Sequence, residues 1–162
     1  MRFTTTRIAG CQRVELRRLD DDRGHFTTIF EREEFGSIDP AFLVERVNRS
    51  LTRMKGAIRG IHFQRAPMAE DKLVQCLRGR IFDVCVDLRT DSPTYLAWTA
   101  IELSAENQDL LLVPKGCGHA FQTLTNDCLV EYFVTGRYSP DHESGVRWSD
   151  PAIGIEWPLL ER

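Results

Sequence analysis

Residues 73–88, LVQCLRGRIFDVCVDL, contain the clearest structural signal in the chain. Two short runs rich in apolar and β-branched residues, Leu73 to Leu77 and Ile81 to Leu88, flank the glycine-centred segment Arg78-Gly79-Arg80. In the second run apolar side chains recur at every other position, which is the period of a β-strand. Two strands separated by a short turn with glycine are typical of a β-hairpin. We therefore predict a hairpin closed at Gly79.

The same pattern recurs towards the C-terminus. Thr99 to Leu103 and Leu110 to Val113 are predicted strands joined by a polar turn. Phe121 to Leu124 and Leu129 to Val134 flank Asn126-Asp127 and are predicted to form another hairpin.

Helical periodicity is weak throughout, and only Glu31 to Phe35 is predicted to form a helical turn. We find no internal repeat, low-complexity tract or long linker. Short β-like runs punctuated by Gly, Pro, Asn and Asp are typical of a sandwich or barrel. With 162 residues the chain is long enough for one core. We therefore predict a single all-β domain over residues 1–162, a closed or double-sheet barrel with few short helices.

The composition restricts the classes of partner. The chain has 21 Lys and Arg against 24 Asp and Glu, a net charge of -3, which does not favour nucleic acid or a membrane surface. Residues 1–6 contain no apolar core of signal-peptide length, and no stretch is apolar enough to span a bilayer. We expect a cytoplasmic protein with no nucleic-acid or membrane partner.

A histidine and a tyrosine are candidates for proton transfer. His62 has an imidazole that is largely neutral at cellular pH and so can act as a general base. Tyr132 lies in a predicted strand and can deliver a proton from the opposite side, as epimerisation requires. Both residue types also occur as structural side chains, and Tyr132 can simply fill the barrel. Strict alternation would place Arg59 and His62 on opposite faces, unless Gly60 introduces a bulge.

Cations near these residues suit an anionic substrate. Lys72, just before an apolar strand, can polarise a carbonyl oxygen and stabilise an enolate. Arg59 and Arg23 offer fork geometry for phosphate oxygens. Gln64, two residues beyond His62, is a further candidate for substrate binding.

Many short motifs in order resemble one known family, the dTDP-4-dehydrorhamnose 3,5-epimerases. The resemblance is carried along the whole chain by Asp22-Arg23-Gly24-His25-Phe26, Asn48-Arg49-Ser50, Ile58 to Gln64, Lys72-Leu73-Val74, Gly79 to Val84, Val86 to Arg89, Ser92-Pro93-Thr94, Pro114 to Phe121, Glu131-Tyr132, Tyr138-Ser139-Pro140, Trp148 to Pro151 and Ile155 to Pro158.

The resemblance implies a cupin-type, jelly-roll β-barrel that forms a homodimer and uses no metal and no cofactor. It implies an isomerase that inverts C3, C5 or both in a nucleoside-diphosphate 4-keto-6-deoxy sugar. His62 is similar to the family's base, Tyr132 to its acid, and Lys72 to the residue facing the 4-keto oxygen.

The resemblance also implies the binding residues. Arg59 and Arg23 are similar to diphosphate ligands, with Arg23 reaching across the dimer. The residues that would line the sugar or nucleotide pocket are Phe26, Asn48, His119 and Tyr138.

The residues themselves also argue against a catalytic metal. Pro114 to His119 matches only half of the pattern found in metal-binding cupins. The other half needs an H-x-H pair, where this chain has His62-Phe63-Gln64. His119 can instead form a hydrogen bond with Asp83 or Asp87 and line the pocket.

Several positions depart from the family pattern. The segment S-x-K-D, whose aspartate orients the base, does not occur after Trp157-Pro158 in these 162 residues. Asp83 is a candidate to orient His62 in its place, and water is another. Arg46 and Glu70 stand where glutamine is usual, and Thr28 stands where glutamate is common.

These departures suggest an altered substrate or inversion of a single centre. Two alternatives remain, a cupin ketoisomerase acting on a nucleotide-linked 4-keto sugar and a non-catalytic sugar-nucleotide binding protein. The nucleotide, whether dTDP, GDP or CDP, and the pathway stay open.

Overall fold

The computed structural model describes residues 1–160, which form thirteen β-strands and one short α-helix. A single 3-10 turn, Pro140–His142, precedes the last strand. In chain order the elements are β1 Arg2–Thr5, β2 Gln12–Glu15, β3 Arg18–Asp21, β4 Gly24–Thr27, α1 Arg32–Gly36, β5 Arg46–Thr52, β6 Ile58–Gln64, β7 Lys72–Arg78, β8 Arg80–Asp87, β9 Trp98–Ser104, β10 Leu110–Val113, β11 Cys117–Thr123, β12 Cys128–Val134 and β13 Glu143–Gly145.

Two antiparallel sheets pack face to face. The six-stranded sheet has the order β1-β2-β10-β7-β12-β5, and the five-stranded sheet has the order β13-β6-β11-β8-β9. Strands β3 and β4 form a separate hairpin. The all-β prediction is therefore confirmed, as is the helical turn near Glu31 to Phe35, which the structure places at Arg32–Gly36.

Apolar side chains fill the space between the sheets and cover both outer faces. The inner core combines Val74 and Leu111 of the larger sheet with Ile81 and Cys85 of the smaller one. A second cluster lies under α1, and a third, on the outer face of the smaller sheet, packs against Trp157. Both faces of β8 are therefore buried. Each fully buried side chain of this size stabilises the fold by roughly 1.5–3 kcal/mol before its entropic cost is subtracted.

The three predicted strand connections exist, but the predicted hairpins are wrong. β7 pairs with β10 and β12, whereas β8 pairs with β9 and β11, so the turn at Gly79 carries the chain from one sheet to the other. The links from β9 to β10 and from β11 to β12 also change sheets. Alternating apolar and polar residues identify a strand but not the strand with which it pairs. A tight turn can join two paired strands of one sheet or carry the chain from one sheet to the other.

Within residues 1–160, no helix has the length and apolar character needed to cross a bilayer.

Candidate active site

A cavity of about 330 Å³ opens between the two sheets and is lined mainly by polar side chains. His62 enters it from β6 of the smaller sheet, while Lys72 on β7 and Tyr132 on β12 enter from the larger sheet. A smaller cavity of about 150 Å³ shares these three residues and adds Arg59 and His119. The candidate base and the candidate acid therefore approach one space from opposite sheets.

A bulge in β6 brings Arg59 and His62 to the same side of the strand. His62 is paired with His119 and Arg59 with Phe121, so three steps along β6 match two steps along β11. Gly60 lies inside this bulge with φ +121, and a Cβ there would lie 2.4 Å from the Cβ of Ala120. Only glycine fits a backbone of this kind at such close approach. The exception allowed for in the sequence, a bulge at Gly60, is therefore present. Arg59 Nε donates a hydrogen bond to Thr52 Oγ1 at 2.7 Å.

His62 has an environment that favours the neutral imidazole. Burial is the main cause that lowers its pKa, and the positive charge of Lys72 acts in the same direction. The carboxylate of Glu143 opposes both effects. A histidine with a lowered pKa is unprotonated at neutral pH and so is available as a base.

Asp83 contacts His119, which confirms one of the two histidine partners proposed for this carboxylate and leaves the other, His62, without it. Asp83 Oδ1 lies 2.8 Å from His119 Nε2, and Asp83 Oδ2 has no hydrogen-bond partner among residues 1–160. The expectation that Asp83 orients His62 is therefore wrong. The reason is the register, which places β11 and His119 between β8 and β6. Burial raises the pKa of Asp83, while the neighbouring His119 acts to lower it.

Lys72 lies in a largely buried position beside a carboxylate. Its Nζ is 3.7 Å from Glu70 Oε1, and the Lys72 side chain is 13% exposed. Burial lowers the pKa of Lys72, and the charge of Glu70 partly restores it. An ammonium held in such a site acts strongly on any oxygen that gains negative charge nearby.

Tyr132 and Asn48 lie side by side on neighbouring strands. They form a register pair between β12 and β5, and both line the larger cavity. Asn48 can offer both a donor and an acceptor beside the phenol.

Gln64 and Tyr138 are held by protein contacts at the rim of the cavity. Gln64 Nε2 donates to Glu70, Met68 and Arg137, and its Oε1 accepts from the Ser139 backbone at 2.7 Å. Gln64 thus uses its amide within the protein, where we had expected it to bind substrate. Tyr138 donates its hydroxyl to Glu143 at 2.5 Å and leaves its ring exposed.

Arg23 and Phe26 lie outside this cavity. Both belong to the β3–β4 hairpin, where Arg23 pairs with Asp21 at 2.6 Å and the Phe26 side chain is 67% exposed. The structure of one chain therefore does not bring them together with His62.

Three residues that line the larger cavity were not proposed as site residues by the sequence analysis, Arg49, Phe63 and Glu143. Glu143 opens β13, a strand of three residues that pairs with Gln64 and its neighbours. A run this short has no detectable alternation. In the part of the chain that the structure describes, no group of three or more His, Cys, Asp or Glu side chains is placed to hold a metal ion.

Comparison with known proteins agrees with this geometry. A family model described as dTDP-4-dehydrorhamnose 3,5-epimerase matches residues 5–162. The chain belongs to the dTDP-4-dehydrorhamnose 3,5-epimerase family. The resemblance drawn from the sequence motifs is thus confirmed, and with it the assignment to the isomerases.

Individual relatives support the family assignment over nearly the full chain. A dTDP-4-dehydrorhamnose 3,5-epimerase of Sinorhizobium fredii is 44% identical over 160 residues, covering 99% of this chain and 82% of the relative. A crystal structure of the Bacillus anthracis enzyme, with TDP and PPi bound, has a TM-score of 0.94 and 41% identity over 99% of this chain and 91% of that one.

A third protein is a 3'-monoepimerase of Streptomyces bikiniensis in complex with dTDP-quinovose, with a TM-score of 0.86 and 34% identity over 95% of this chain and 78% of that one. The likeness to these family structures confirms the jelly-roll barrel expected from the resemblance.

Proposed function

We propose that this protein is a cofactor-independent 3,5-epimerase of a dTDP-linked 4-keto-6-deoxy sugar in deoxysugar biosynthesis. The observation that carries the proposal is that His62 and Tyr132 enter one cavity from opposite sheets. A base that returned its own proton to the same face would invert nothing, so two groups on two sides are what inversion needs. Family membership supports the sugar nucleotide as substrate.

In the proposed mechanism His62 removes the proton from the carbon next to the 4-keto group. The electron pair of the broken C–H bond moves into an enolate, whose oxygen carries the negative charge. Lys72 stabilises that oxygen with its ammonium group. Tyr132 then transfers its phenolic proton to the carbon from the other face and becomes a tyrosinate, which recovers a proton from the imidazolium through solvent. The same sequence at the second carbon completes the reaction.

Phosphate binding falls to the arginines. Arg59 lines the smaller cavity beside His62 and can form a two-pronged contact with phosphate oxygens. The ring of Tyr138 is exposed at the rim of the larger cavity, which supports a role in stacking on the nucleobase.

We propose further that two copies of the chain form a homodimer in which Arg23 and Phe26 complete the cavity of the other copy. The hairpin that holds them is separate from both sheets, and β5 is the outer strand of the larger sheet. Val47 and Leu51 on β5 are 49% and 39% exposed, an unusual exposure for apolar residues on an unpaired edge.

Complementation tests the homodimer. Alone, His62→Ala should be inactive, and Arg23→Ala should be about 10- to 100-fold less active at substrate concentrations well below KM. When the two variants are mixed and refolded, about half of the dimers should contain one chain of each kind. In such a dimer one cavity has both an intact His62 and an intact Arg23 and the other has neither, so about a quarter of all sites should be active. A mixture with no more activity than its parents would contradict the shared cavity. Residues 1–162 as one domain and a cytoplasmic location stay predictions from the sequence.

A mono-epimerase is the second candidate, favoured by the similarity to the Streptomyces bikiniensis 3'-monoepimerase. Proton NMR in deuterium oxide with dTDP-4-keto-6-deoxyglucose separates the candidates. Deuterium at both C3 and C5 supports the 3,5-epimerase, and label at one carbon alone supports the mono-epimerase. No label at either carbon would contradict the proposed function, with the same sugar incubated without protein as the control.

A further inference from the structure

Glu70 is a buried carboxylate that contacts three cavity residues at once. Its side chain is 5% exposed. Oε2 accepts hydrogen bonds from Arg46 Nη2 at 2.6 Å and from Gln64 Nε2 at 2.9 Å, while Oε1 lies 3.7 Å from Lys72 Nζ. Glu70 therefore shares one negative charge between two cations, and Lys72 has the weaker contact.

The position of Glu70 is fixed on both sides. A Cβ placed at Gly136 would lie 2.8 Å from the Cβ of Glu70, so the backbone of Gly136 packs directly on the side chain. Arg46 is fixed as well, because its Nε donates to Gly136 O at 2.9 Å and its guanidinium lies 5.6 Å from the centre of the Tyr138 ring. Neither Arg46 nor Glu70 can swing away to leave the other unpaired without breaking these contacts.

Lys72 needs a negative charge nearby to remain an ammonium group. Burial removes water from the charged form and so disfavours it. Glu70 opposes that effect, whereas Arg46 adds to it. Among residues 1–160, the other charged or titratable groups that act on Lys72 or line the same cavities are Glu143, His62, Tyr132, Tyr138, Asp83, His119, Arg49 and Arg59.

We propose that Glu70 is a positioning residue that keeps Lys72 charged and directed into the cavity. Arg46, which also binds Glu70, limits how strongly Glu70 interacts with Lys72. This inference rests on the proposed function, in which Lys72 stabilises the enolate oxygen. A lone glutamate would bind Lys72 tightly as an ion pair and draw it away from the substrate, and Arg46 prevents this by taking the shorter contact.

The charge on Lys72 can be measured directly, because the chain has three lysines, Lys55, Lys72 and Lys115. Protein labelled with carbon-13 at lysine Cε gives three resonances, and Lys72→Arg identifies the one of interest. In Glu70→Gln the pKa of Lys72 should fall, because the only carboxylate within 4 Å of its Nζ in residues 1–160 is lost.

In Arg46→Gln the Lys72 pKa should rise, because a repelling cation is lost and Glu70 is freed. The double variant should lie between the two single variants.

Turnover of Glu70→Gln and of the double variant should follow the same order, whereas Arg46→Gln should lower kcat because the freed Glu70 draws Lys72 away from the substrate. The ammonium form of Lys72 is the active one, so a lower Lys72 pKa moves the alkaline limb of the kcat profile to lower pH. On that limb Glu70→Gln should lose about 10- to 100-fold in kcat. The double variant should recover part of this loss, which a purely structural defect would not do.

Glu102→Gln is the matched control. It removes one carboxylate from an exposed ion pair with Arg80 at 3.4 Å on the β8–β9 side of the molecule. It should change neither the Lys72 resonance nor the kcat profile.

The two hypotheses can fail separately. A wild-type protein that labels neither carbon would contradict the proposed function, and the lysine titration would still decide the coupling between Glu70 and Lys72. A wild-type protein that labels the sugar, with Glu70→Gln matching it in both titration and kcat profile, would overturn the positioning role alone. If Glu70→Gln does not fold, an unchanged Lys72 titration in Arg46→Gln would also overturn it.

Discussion

The bulge at Gly60 gives the sharpest test of how the site is built. Replacing Gly60 with alanine places a Cβ 2.4 Å from the Cβ of Ala120 and 2.6 Å from the carbonyl oxygen of His119. Both neighbours are part of β11 at the centre of the smaller sheet, so neither can move away easily. The backbone there also has φ +121, which alanine adopts only with strain.

The expected loss of stability has two parts. Backbone strain of this kind costs about 1–3 kcal/mol, and overpacking in a well-packed region costs about 1–3 kcal/mol. Together they predict a free energy of unfolding lower by roughly 2–6 kcal/mol. For a chain of this length that corresponds to a Tm lower by about 5–20 °C.

Two other glycines separate these contributions. Gly56 has φ +83 but open space around an added Cβ, so Gly56→Ala should show the backbone strain alone. Gly36 has neither a positive φ nor a neighbour within 4 Å, so Gly36→Ala should be neutral or stabilise by about 0.4–1 kcal/mol. Chemical denaturation of the three variants measures the difference.

The bulge also aims Arg59 and His62 into one cavity, so Gly60→Ala should lose deuterium exchange beyond what its stability explains, assayed well below its Tm. If Gly60→Ala unfolded within about 1 kcal/mol of Gly56→Ala and exchanged deuterium at the wild-type rate, the role assigned to the bulge would be refuted.

Other expectations concern the proton-transfer groups and the substrate. His62→Ala should abolish deuterium exchange at both carbons, whereas Tyr132→Phe should keep some exchange while suppressing inversion; exchange at the wild-type rate in His62→Ala would disprove the base assignment. Because the pKa of His62 is lowered from 6.5, the acid limb of kcat/KM should lie below that value, and Glu143→Gln should move it lower still. Because the unfolded chain then takes up the His62 proton at a higher pH than the folded protein, the free energy of unfolding should decrease as the pH falls from about 6.5 through the folded-state pKa of His62. In His62→Ala this decrease should be smaller, as measured by denaturant titration at several pH values. Arg23→Ala should weaken dTDP binding by about 10- to 100-fold, measured by calorimetry, and unchanged affinity would remove Arg23 from the diphosphate site.

The sequence predicts the candidate proton-transfer groups better than it predicts the strand pairing. Residue chemistry and motif order bring out His62, Lys72 and Tyr132, which the structure gathers at one cavity. The strands themselves are also predictable, because apolar and β-branched runs bounded by turns leave little other choice. The partner of each strand is not encoded locally, which is why the turn at Gly79 was interpreted as a hairpin.

Two features of the site depend on strand pairing: the sequence left the partner of Asp83 open between His62 and His119, and it did not indicate Glu143 at all. Asp83 lies opposite Phe121 on β11, and this register places its carboxylate against His119 and leaves His62 to other neighbours. Glu143 lines the cavity because its three-residue strand, β13, pairs with β6, where Glu143 lies opposite Gln64. The sequence of β13 is too short to show this. The charged residues Arg46 and Glu70 can be noticed in the sequence, but only the structure shows that Glu70 contacts both Arg46 and Lys72.

The turns that change sheets have a consequence for how the protein folds. From β5 to β13, only β8 and β9 are consecutive strands that also pair. The remaining pairs in this range join strands that are distant in the chain. Such non-local pairing carries a large loop-closure cost, and all-β proteins of this kind fold in milliseconds to seconds. Neither sheet can form ahead of the other, so refolding should show one cooperative phase. Because His62 and Tyr132 belong to different sheets, recovery of activity should coincide with that phase rather than precede it.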